Sequence, residues 1–172
     1  MAYVLNALIA EPKVLESWPD AGVVALPQGR VLLPLPNEIW KANRHSSQPI
    51  LRESDARAAS ESDFEPPDSR EASLAAAGAA FEWIAARCAE LSLAGPVAYV
   101  EAEYFGGAGQ QAAALWDRGL LVLGPRLGEH PIDQVLARLG ISRGAAHDEF
   151  DALDLGRFRM TDYWLKAAQP IR

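Results

Sequence analysis

GPVAYVEAEYFGGAGQQAAALWDRGLLVLG, from Gly95 to Gly124, reads as three short strands joined by a Gly-rich loop and a tight Asp-Arg-Gly turn. Side chains alternate along a strand, so Val97, Tyr99, Glu101 and Glu103 share one face while Ala98, Val100, Ala102 and Tyr104 share the other. Two carboxylates on one strand face call for water or a partner, because an unpaired charge is costly to bury. The run therefore predicts a β platform that carries an acidic face.

Outward from this unit, the N-terminal side supplies more β structure. Tyr3–Ala10 is an apolar run suited to a buried strand, and Pro12 is well placed to open one or two helical turns before Trp18. Gly22–Leu26 and Arg30–Leu35 are rich in Val and Leu and are joined by Pro-Gln-Gly, which predicts a hairpin. Asn37 can cap a helix that ends near Arg44.

Ser46–Ser69 differs from its surroundings, being rich in Ser, Asp, Glu and Pro. It has too little apolar surface to offset its ordering entropy, so it is expected as a flexible acidic insertion at 46–69 within a single domain of 1–172; Ile50–Ala59 has marginal helical character. A strongly periodic helix follows from Arg70 to about Ser92. Leu74, Ala77, Phe81, Ile84, Cys88 and Leu91 form its apolar stripe, which makes Cys88 a structural thiol.

On the C-terminal side, Pro125–His130 reads as a loop and Pro131 as the first residue of a helix. Ile132, Val135, Leu136 and Leu139 form the apolar side of that helix, and Gly140 stops it. The stretch HDEFDALDLGRFRMTDYWL, His147–Leu165, alternates acids with large apolar residues, and Thr161 is placed to cap a last short helix. The whole predicts an α+β fold, a mainly antiparallel sheet with helices packed on one face.

Composition narrows the function classes. A formal charge of −7 works against nucleic acid and anionic membranes, whose phosphates need cations, and favours a basic protein partner. A single cysteine excludes an internal disulfide framework and suggests the cytoplasm, and the N-terminal apolar run has neither a basic start nor the length of a membrane span.

Few residues carry a chemical signature. Gly106-Gly107-Ala108-Gly109 lacks the following helix and lysine of a phosphate loop and fits a hairpin tip better. Glu101 and Glu103 stand about 7 Å apart on one strand face, a spacing open to acid–base work but better read as a polar or partner-binding face. His147, Asp148, Glu149, Asp151 and Asp154 match neither a calcium loop nor a zinc motif, so no metal and no cofactor is assigned. Arg157 and Arg159 can satisfy these acids internally. No nucleophile elbow is present, and no catalytic residue is assigned.

YVLNALIA with VVALPQGRVLLPLPNEIW, AYVEAEYFGGAGQQAAALW, and DEFDALDLGRFRMTDYWL after PIDQVLARLG together resemble a family of small, uncharacterised bacterial cytosolic proteins. The likeness covers most of the chain outside 46–69 and brings no site residues with it. By analogy of class, small acidic α+β proteins of this kind serve as immunity proteins against toxins. The expectation is a stoichiometric binding protein that occludes the active site of a basic toxin domain. Glu101, Glu103, Tyr104 and Phe105 would form one contact patch and Asp148, Glu149 and Asp151 a second. The alternative is a small hydrolase in which Glu101 or Glu103 works with the 147–154 acids around a metal or water.

Overall fold

The computed structural model describes residues 2–18, 22–36, 82–128 and 130–170. These form one seven-stranded sheet, entirely antiparallel, with helices against it, so the α+β class holds. The strands are β1 (Tyr3–Ala10), β2 (Gly22–Ala25), β3 (Val31–Pro34), β4 (Val97–Phe105), β5 (Ala108–Asp117), β6 (Leu120–Gly128) and β7 (Gln169–Pro170). Their order across the sheet is β6-β5-β4-β1-β3-β2-β7, so the N-terminal hairpin and the central three-stranded unit share one sheet, joined by the β1–β4 pairing.

The helices are α1 (Pro12–Leu15), α2 (82–91), α3 (Pro131–Arg138), α4 (Glu149–Ala152) and α5 (Thr161–Ala167). They cover both faces of the sheet, not the single face expected. On one face Ile84, Cys88 and Leu91 of α2 pack on Leu8, Val97, Tyr99, Ala112 and Trp116. On the other, Ile132, Val135 and Leu136 of α3, Leu153, Leu155 and Trp164 pack on Leu5, Ala7, Ile9, Val100 and Leu115. The reason lies in β1, where apolar residues run on almost without alternation, the pattern of a strand buried on both sides.

Local chemistry accounts for the turns. Gly106 and Gly107 link β4 to β5 with φ of 62° and 90°, as a two-residue turn matched to strand twist requires. Arg118 and Gly119 repeat this between β5 and β6, and that turn is docked on the end of α2. Its Arg118 and Gly119 amides donate to the Ser92 carbonyl (3.0 Å) and hydroxyl (2.9 Å).

Two further expectations need correction and three fall outside the description. Pro125–His130 is not a loop throughout, since β6 runs on to Gly128 past Pro125, which an edge strand tolerates because its outward N–H is not needed. Gly124 sits there against β5, where a Cβ would come within 2.6 Å of the Ala113 carbonyl oxygen. Thr161 does not cap α5. Met160 holds the cap position, and the buried Thr161 hydroxyl donates to the Val4 carbonyl (3.2 Å) and accepts from the Asn6 amide (3.1 Å), which ties α5 to β1. The helix after Asn37, the insertion at 46–69 and the first half of the Arg70–Ser92 helix lie outside the described residues.

Candidate functional site

The β4–β5 hairpin brings the first set of expected site residues to its tip and divides them. Alternation puts Glu101, Glu103 and Phe105 on the α2 side of the sheet and Tyr104 on the other. Glu101 is no part of an exposed patch. It is 2% exposed, lies opposite Asn6 of β1, and accepts a hydrogen bond from the Tyr99 hydroxyl at 3.0 Å. The buried Asn6 side chain beside it finds no hydrogen-bond partner for either polar atom among the described residues. Two acids two residues apart therefore differ in kind, since Glu101 is buried in the middle of the strand and Glu103 lies half-buried toward the tip.

Glu103 is half-buried and Phe105 is 55% exposed at the end of the strand. They line a concave surface with Ala108, Gly109 and Gln110, enclosing about 530 Å³. Gly109 allows this close approach of the strands, since a Cβ there would collide with the Glu103 carbonyl oxygen and come within 2.6 Å of the Tyr104 Cα.

The second set of acids is largely engaged in local structure. Asp148 caps α4 by accepting from the Asp151 amide at 2.8 Å, while the Asp151 carboxylate accepts from the His147 amide at 3.4 Å. Asp154 pairs with Arg157 at 2.7 Å, which is half of the internal pairing expected for this segment; Arg159 pairs with no acid among the described residues. Asp133 of α3 accepts from the Phe150 amide at 3.0 Å and so fastens α4 to α3. Burial, together with the nearby Asp148 and Glu149 carboxylates, raises the pKa of Asp133 above the usual carboxylate range, although the Phe150 amide and His130 pull the other way.

Leu153 and Leu155 anchor this segment on the α3 side of the sheet. Glu101 and Glu103 lie on the α2 side. The sheet thus stands between the two acid sets. Among the described residues no three His, Cys, Asp or Glu side chains converge as a metal site. Cys88 is fully buried and burial pushes its thiol pKa far up, which disfavours the thiolate and fits a structural thiol.

Sequence reasoning missed a cavity of about 300 Å³ on the α3 side, lined by Tyr3, Tyr104, Gln111, Phe150 and Arg159 among others. Its residues come from β1, β4, β5, α4 and the segment after α4, so no local motif announces it. The aromatic residues at Tyr3, Tyr104 and Phe150 were the available signal. No known protein family, curated protein or solved structure matches the chain. Among the described residues no helix is long and apolar enough to cross a membrane.

Proposed function

We propose that this chain is a stoichiometric binding protein of the cytoplasm that engages a basic protein partner through the tip of the β4–β5 hairpin. Neutralisation of a basic toxin domain, the role of an immunity protein, is the form of such binding that best suits its charge. The observation that carries the reading is Phe105, a large aromatic side chain left 55% exposed beside Glu103 at the end of the hairpin. Aromatic anchors supply most of the energy in protein interfaces, and charged neighbours supply association rate and register. The net charge of −7 gives the long-range attraction for a cationic partner. Tyr104 offers a second aromatic group on the opposite side of the same tip, so a partner that straddles the hairpin meets both.

The test compares wild type with a Glu103→Lys/Phe105→Ala double variant as bait in lysate of the producing cells. Both positions lie toward the tip, so the fold should survive. The expected result is a basic partner recovered at one-to-one stoichiometry by wild type, with at least about 100-fold weaker capture by the variant. Recovery of no stoichiometric partner, or equal recovery by both baits, would sink the proposal.

A further inference from the structure

The cavity on the α3 side has a chemistry opposite to that of the chain as a whole. Tyr3, Ala102, Tyr104 and Phe150 give it an apolar, largely aromatic lining, with Tyr3 and Phe150 in edge contact at 5.7 Å between ring centres. The Tyr3 hydroxyl is already committed to the Leu155 carbonyl at 2.9 Å, which fixes that ring. The remaining polar groups are donors without an acceptor. Gln111 spends its side-chain oxygen on the Ile132 amide (3.4 Å), and its NH2 group makes no hydrogen bond among the described residues. The Tyr104 hydroxyl likewise has no partner there, and the Arg159 guanidinium has neither an ion pair nor a side-chain hydrogen bond.

No carboxylate is among the described residues that line the cavity, in a chain with 23 acids against 16 cations. Of the acids in the adjoining segment, Asp154 pairs with Arg157 and Asp148 accepts from the Asp151 amide. Arg159 is also held in place by its backbone, because its carbonyl accepts from the Val4 amide at 2.7 Å and Met160 bridges to β1.

We propose that this cavity binds a carboxylate attached to a small apolar or aromatic group, with Arg159 holding the carboxylate and the rings holding the apolar body. A guanidinium matches a planar carboxylate with two parallel N–H bonds. One guanidinium balances one negative charge, and the apolar lining disfavours a phosphate, which needs more donors and more cations. The volume is at the lower end of the range for small-molecule sites, about 300–1,000 Å³. The inference does not rest on the hairpin tip, since Glu103 and Phe105 face the other side of the sheet. The carboxylate can come from a free small acid or from the C-terminus of a peptide.

Three probes separate these cases: phenylacetate, its neutral analogue phenylacetamide, and N-acetyl-glycyl-phenylalanine with a free C-terminus. Binding to the full chain is followed by backbone amide chemical shifts. Phenylacetate should give saturable shifts at Tyr104, Gln111 and Arg159, with a Kd on the order of 1 mM or tighter. Phenylacetamide should bind at least about tenfold more weakly, and Arg159→Gln should weaken the acid about tenfold while leaving the amide unchanged. Arg159 is exposed, so that variant folds. Tighter binding of the peptide assigns the carboxylate to a chain terminus, tighter binding of phenylacetate to a small acid, and both support the site. Absence of saturable shifts with either acid, equal affinity for acid and amide, or an Arg159→Gln protein that binds phenylacetate as wild type does would overturn it.

Discussion

Single side chains do much of the joining between layers. Thr161 is 1% exposed and uses one hydroxyl twice, as donor to Val4 and acceptor from the Asn6 amide. Thr161→Val keeps the shape but leaves that amide and carbonyl short of a partner in a dry place. The expected cost is about 1–3 kcal/mol in a urea titration, and an unchanged midpoint would contradict it. Asp133 makes the opposite case. A carboxyl whose pKa is raised in the fold holds its proton more tightly there than in the unfolded chain, so its ionisation removes stability as pH climbs from the ordinary carboxylate range through the raised value. Asp133→Asn keeps the oxygen that accepts from Phe150 and drops the charge facing Asp148 and Glu149. The variant should be more stable than wild type at pH 7, with the difference gone by about pH 3. A gain of the same size at both pH values would mean that charge is not its source.

Strands and helices differed in how plainly the sequence showed them. β1, the β2–β3 and β4–β5 hairpins and α3 were legible because periodicity and turn residues agreed: Gly106-Gly107 between two alternating runs, Pro131 opening and Gly140 closing an apolar stripe. The second helical layer was not deduced, although the unbroken apolar run of β1 implied it. Glu101 was misjudged for the same reason. Alternation fixed its face correctly, but exposure depends on what packs over that face, and around Glu101 that face is buried. Pro125 looked like the end of a strand because its edge position is a tertiary fact. The hairpin tip offers an element-level test at Gly109, where an added Cβ would run into the Glu103 carbonyl and the backbone of Tyr104. Gly109→Ala should force β4 and β5 apart at the tip, lower stability by about 1–3 kcal/mol, and speed amide exchange at Tyr104 and Phe105 more than at Tyr99. Uniform exchange along the hairpin would argue against the close approach.

In the molecule as a whole the sheet acts as a partition. Glu103 and Phe105 belong to one side of it, Tyr104, Phe150 and Arg159 to the other, and the β4–β5 tip carries residues of both. The candidate cavity was illegible in the sequence because it gathers residues from Tyr3 to Arg159 that only the strand order brings together. The acidic surplus and the exposed tip combine in the proposal of a basic partner, which predicts association that slows steeply as salt is added. Photo-crosslinking tests it most directly, with p-benzoylphenylalanine placed at position 105 in the cells that make the protein. The account predicts one discrete adduct with a basic protein in one-to-one ratio, absent when the same group replaces solvent-exposed Leu93. No discrete adduct at position 105, or the same adduct from both positions, would contradict it.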